Sequence, residues 1–105
     1  AEEAAVAFEQ IVRRSPSDLS SWNYLGVAYT AAGRLDDALV TFERGLNMAP
    51  QSVSLHFNLG NAHRKRGQMD KALASYRQAL QLDPKNSRIR EIAERLSREA
   101  ASNAE

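Results

Sequence analysis

The sequence predicts an all-α fold: a superhelical stack of antiparallel helix pairs, about six helices in all, with no strand. Three observations predict it. Landmark residues recur 34 positions apart, pairing Trp22 with His56, Gly26 with Gly60, Gly33 with Gly67, Ala38 with Ala72, Phe42 with Tyr76 and Pro50 with Pro84, and Pro16 stands one further period back. Within each period the apolar spacing is helical: Trp22, Leu25, Gly26 and Tyr29 share one face, and Leu35, Ala38, Leu39, Phe42 and Leu46 share another. The helix breakers fall between these faces, so each period holds two helices and a turn.

Helices are expected over 2–14, 18–32, 36–48, 52–66, 70–82 and 86–101. Residues 1–16 read as the second helix of a truncated preceding unit, because Ala4, Phe8, Ile11 and Pro16 align with Ala38, Phe42, Gly45 and Pro50. Residues 17–52 form a first complete unit and 53–86 a second. Gly33 and Gly67 end the first helix of each, since glycine adopts the left-handed conformation of a helix C-terminus without steric cost. Asp36 and Asp70 then enter the next first turn, where a carboxylate favours the dipole. Ser52 and Asn86 follow prolines as N-caps. Residues 87–101 form a C-terminal capping helix with Ile89, Ile92, Ala93, Leu96 and Ala100 in one stripe, outward Glu91–Arg95 and Glu94–Arg98 pairs, and a tail over 102–105. Gly26 and Gly60 lie inside helices, where glycine costs about 1 kcal/mol relative to alanine. Such a cost, repeated at the same phase, marks a point where a neighbouring helix must come close.

The composition, 43% hydrophobic and 26% charged, is that of a globular chain. No apolar run approaches the roughly 20 residues that span a bilayer, so no membrane partner is expected. The absence of cysteine excludes disulfides and thiolate sites and leaves the compartment open, a soluble cytoplasmic chain being the default. Charge is divided unevenly: residues 1–52 carry four arginines against seven acids, net −3, and residues 53–105 ten bases against six acids, net +4.

The pattern W-x2-L-G-x2-Y at Trp22, Leu25, Gly26 and Tyr29, followed by Ala38, Phe42 and Pro50, resembles the tetratricopeptide repeat (TPR) signature. The second unit is similar through Leu59, Gly60, Ala72, Tyr76, Ala79 and Pro84, with His56 and His63 in the two aromatic positions. The resemblance implies a right-handed superhelix whose first helices line a concave, peptide-binding groove, and hence a protein-interaction scaffold. Outside the shared scaffold, the first-helix positions are Ser20, Asn23, Tyr24, Val27, Thr30 and Ala31 in unit one and Ser54, Phe57, Asn58, Asn61, Arg64 and Lys65 in unit two, continued by Arg88, Glu91, Ile92 and Arg95. The expected groove is therefore Asn23, Tyr24, Val27, Phe57, Asn58, Asn61, Arg64, Lys65, Arg88 and Ile92. Asn58 and Asn61 offer both donor and acceptor to an extended main chain, Tyr24 and Phe57 offer apolar anchors, and Arg64, Lys65 and Arg88 suit an acidic partner. Some members of the family clamp the terminal carboxylate of chaperone tails. Asn58 and Arg88 match two of the clamp positions, but Asn23, Val27 and Ile92 depart from the rest, so a chaperone-tail receptor is not expected.

Other functions find little support. His56 and His63 are seven residues apart, about 10.5 Å along a helix, too far to share one zinc, and packing explains them better. No nucleophile elbow, phosphate loop or paired carboxylate is present, so neither enzyme nor cofactor is expected. The Arg64-Lys65-Arg66 run ends a helix, where cations favour the dipole, and nucleic acid is not an expected partner. Self-association is the alternative to a peptide guest: Val6, Phe8, Ile11 and Val12 form an apolar side of the first helix through which copies could stack as a homodimer.

Overall fold

The computed structural model describes residues 1–103 and shows six α-helices with no strand among the described residues: α1 Glu2–Arg14, α2 Leu19–Ala31, α3 Leu35–Met48, α4 Val53–Lys65, α5 Met69–Leu82 and α6 Ser87–Asn103. Each expected helix is present, with bounds within two residues of those read from the sequence. The exception in meaning is the tail: residues 102 and 103 are the last residues of α6, and the rest of the expected tail lies outside the described residues.

The helix boundaries repeat because their chemistry repeats. Asp18, Ser52 and Asn86, spaced by one period, each cap the next helix: Asp18 accepts from the Ser21 N–H at 3.4 Å, Ser52 from Leu55 at 3.2 Å and Asn86 from Ile89 at 3.1 Å. Asp18 is thus a cap and not the first helical residue. Gly33 and Gly67 take φ of +80° and +82° and close a Schellman turn, in which Arg34 N–H bonds to Tyr29 carbonyl and Gln68 N–H to His63 carbonyl. A third repeated bond ties each first helix to the loop before it. Trp22 Nε1 donates to the Pro16 carbonyl at 2.7 Å, His56 Nε2 donates to the Pro50 carbonyl at 2.8 Å, and the Arg90 guanidinium donates to the Pro84 carbonyl. His56 therefore replaces the tryptophan as a donor as well as a packing group.

Consecutive helices pack against one another, and α2 also touches α4, so these two first helices lie side by side as one wall. The molecule is elongated, 47 × 27 × 19 Å along its principal axes. Its core runs lengthwise in two clusters. Ala5, Leu25, Phe42, Leu55 and Ala62 belong to one, and Ala72, Tyr76, Ile89 and Leu96 to the other. The interior glycines lie where aromatic rings of the partner helix come closest. A Cβ on Gly26 would fall inside the Phe42 ring's van der Waals shell, and one on Gly60 would lie 2.7 Å from Tyr76 Cε1. Gly45 makes similar room for Leu55 at 3.1 Å. Because Phe42 and Tyr76 are fully buried, these contacts replace the helix propensity that glycine gives up.

Candidate functional site

A furrow of about 520 Å³ opens on the wall made by α2 and α4. Val27, Thr30 and Ala31 come from α2, Asn58, Asn61, Arg64 and Lys65 from α4, and the Phe42 ring of α3 forms part of the floor. Each contribution follows from helix phase. With Leu25, Gly26, Ala28 and Tyr29 turned inward, Val27 and Ala31 must point away from the core, and Val27 is 45% exposed. The same phase in α4 buries Leu55, Gly60 and Ala62 and turns Asn58, Asn61 and Lys65 outward.

The polar groups are partly engaged within the protein. Asn58 Nδ2 donates to Asn23 Oδ1 at 2.7 Å, linking the two units. The Tyr76 hydroxyl donates to Asn61 Oδ1 at 2.6 Å. Thr30 Oγ1 donates to the Gly26 carbonyl at 2.8 Å. Burial pushes the Tyr76 hydroxyl's pKa above its ordinary value of 10, and the adjacent Arg64, by hydrogen bond and charge, pulls it partly back. A phenol whose folded pKa is raised contributes stability that is complete below pH 10 and is lost as pH rises through the folded value. Wild-type protein should therefore lose more melting temperature between pH 8 and about pH 11 than Tyr76→Phe, as followed by circular dichroism.

Five of the ten expected groove residues meet in this furrow: Val27, Asn58, Asn61, Arg64 and Lys65. The others lie elsewhere. Asn23 sits on the seam between first helices, bonded to Asn58. Phe57 turns toward the second core cluster, with its ring 5.7 Å from Tyr76 and the Arg88 guanidinium 5.5 Å above it, so neither Phe57 nor Arg88 faces the furrow. Ile92 is half-buried against the same cluster. Tyr24, 56% exposed, pairs with Phe8 at 5.5 Å between ring centroids, beyond the furrow's α2 end. The spacing of the seam was in the sequence: Asn23 and Asn58 are 35 apart, one residue more than the repeat.

The first-helix surface needs correction. Val12 is only 7% exposed and packs with Ala5 in the core, so it offers nothing to another copy. Val6 is 50% exposed, but its equivalent one period on, Val40, is 52% exposed within a complete unit, so Val6 is an ordinary outward position. Ile11 and the half-buried Phe8 remain.

A second furrow, about 480 Å³, lies on the opposite side between α1 and α3, over Trp22, Leu25 and Tyr29, and carries Glu9, Arg13, Asp37, Val40 and Arg44 on its walls. Among the described residues no helix is long and apolar enough to cross a membrane and no cluster of three or more His, Asp or Glu could hold a metal.

Among known proteins, the structure of YrrB, a TPR protein with an unusual peptide-binding site, superposes with a TM-score of 0.84 at 19% identity over 89% of this chain. The present chain spans 48% of that one, about half its length. The first TPR of Spaghetti (RPAP3), bound to the HSP90 peptide SRMEEVD, matches with a TM-score of 0.87 at 16% identity, covering 95% of this chain and 79% of that one. The Yersinia enterocolitica type III secretion chaperone SycD, in complex with a peptide of the translocator YopD, matches with a TM-score of 0.77 at 21% identity, covering 91% and 73%. No curated protein matches the sequence. Family models for the tetratricopeptide repeat match residues 1–52 and residues 53–86, which between them hold both glycine-centred helix pairs. The chain belongs to the tetratricopeptide repeat family.

Proposed function

We propose that the chain is a protein-interaction module that holds an extended segment of a partner protein in the α2–α4 furrow. The observation that carries this reading is the furrow's composition: an apolar stretch of Val27, Ala31 and Phe42 running directly into Asn58, Asn61, Arg64 and Lys65. That sequence of surfaces suits a segment with an aliphatic side chain near one end and carboxylates near the other, and the positive C-terminal half of the chain favours an acidic partner. The similar structures of RPAP3 and SycD hold peptides, which supports the general mode and not the guest. A site this short should bind with Kd on the order of 1–100 μM, about −8 to −5.5 kcal/mol.

Self-association through α1 has less to work with, since Ile11 and the edge of Phe8 fall far short of the roughly 20 residues a side of a standard interface. The furrow reading is tested by selecting peptides on the immobilised chain and measuring them by fluorescence anisotropy. Val27→Asp should weaken the selected peptides about tenfold or more by removing the apolar contact. Val40→Asp, at a comparably exposed site on the other side, should leave them unchanged. The opposite ranking would move the site to the α1–α3 furrow.

A further inference from the structure

The two units differ at one pair of equivalent positions in a way that assigns a role to a buried side chain. In unit one the furrow position is Val27 and the ring beneath the helix belongs to Phe42; one period on, these are Asn61 and Tyr76. The two changes go together, because the added hydroxyl donates to the added amide at 2.6 Å. Tyr76 is fully buried, so its hydroxyl hydrogen needs an acceptor within the protein. Arg64 beside it can only donate. Asn61 Oδ1 supplies the acceptor, whereas a flipped amide would turn an N–H toward the phenol and leave the hydroxyl hydrogen without a partner.

From this geometry we infer that Tyr76 is a positioning residue for the furrow: it holds the Asn61 carboxamide with Nδ2 toward the guest, so that the end of the site formed by Asn61, Arg64 and Lys65 presents donors only, while Asn58, a turn earlier, has its Nδ2 engaged by Asn23. Arg64 and Lys65 are donors by nature, and Asn61 becomes one by orientation. The guest must then bring acceptors to this end, carboxylates or main-chain carbonyls, and an aliphatic side chain to Val27 and Ala31 on the α2 side. Both requirements rest on the furrow reading proposed above and sharpen it into a specificity.

The test uses an array of blocked octapeptides, each with one leucine and two to four Asp or Glu, printed beside counterparts with Asn or Gln at every acidic position. On the wild-type chain the acidic members should bind about tenfold more tightly than their amide counterparts, the effect of one hydrogen bond to a charged group. Tyr76→Phe, which copies the Phe42 arrangement and so keeps the packing, should cut that preference to about threefold or less because Asn61 is free to turn its oxygen outward. Asn61→Val combined with Tyr76→Phe rebuilds the unit-one pair and should shift preference toward peptides with a second leucine. An unchanged acid-to-amide ratio in Tyr76→Phe overturns the inference, since a merely structural role would alter melting temperature and not that ratio. If acidic and amide peptides bind alike while Val27→Asp abolishes both, the furrow reading stands and this inference falls. If no peptide binds, or Val27→Asp changes nothing, both fall.

Discussion

Gly26→Ala should destabilise the wild-type chain by about 2 kcal/mol and yet stabilise the Phe42→Ala variant by about 1 kcal/mol. In the wild type the added methyl meets the ring of Phe42, which is fully buried and has no room to move aside. Overpacking typically costs 1–3 kcal/mol, and the overlap with a buried ring puts this site at the upper end, so that about 2 kcal/mol remains after the roughly 1 kcal/mol that alanine gains over glycine in a helix interior. Phe42→Ala alone should cost about 3–5 kcal/mol through the cavity it leaves, a large share of the stability of a small domain. With the ring gone, the clash disappears, the methyl fills part of the void and only the propensity gain remains. Urea unfolding of the four proteins gives the coupling directly. A sign that does not reverse would mean that the glycine is kept for some reason other than the approach of Phe42.

Arg64→Glu with Lys65→Glu should weaken an acidic peptide selected on the wild-type furrow by about a hundredfold, because two favourable charged contacts become two repulsive ones. Both residues lie in the last turn of α4 and both line the furrow. Reversal also opposes the helix dipole, so a modest loss of melting temperature is expected, and circular dichroism separates that from loss of binding. Wild-type affinity should fall as salt rises from about 50 to 500 mM, and the doubly reversed variant should show the opposite trend or none. Retained affinity after reversal would remove the acidic guest while leaving the furrow itself untouched.

The fold was legible because 34-residue spacing constrains helix phase, turn chemistry and core packing at once. Gly33 and Gly67 announced their turns, and Gly26 and Gly60 announced the close approach that Phe42 and Tyr76 make. Asp18 was misplaced by one residue because an acid suits both an N-cap and a first turn; only the bond to Ser21 decides. The furrow was half legible. Helical phase correctly set Val27, Asn58, Asn61, Arg64 and Lys65 outward, but it treats a helix as if it stood alone. Asn23 and Phe57 also point off their own helix's core face, yet the next first helix meets them there through Asn58 and Arg88, and Ile92 packs against the second core cluster. Val12, expected on an open side of α1, lies in the core, whereas Val6 is exposed as expected and shares that exposure with Val40. The Tyr76–Asn61 bond was beyond a reading of single faces, since it joins α5 to α4, although the paired substitution of Phe42 and Val27 one period earlier was visible in the sequence.

Backbone amide chemical-shift mapping of the ¹⁵N-labelled chain, titrated with a peptide selected on the wild-type protein, is the most direct measurement. Binding between α2 and α4 predicts the largest changes at Val27, Ala31, Asn61, Arg64 and Lys65, and small ones at Trp22, Val40 and Arg44. Changes concentrated at Trp22, Val40 and Arg44 would place the guest between α1 and α3 and contradict the account.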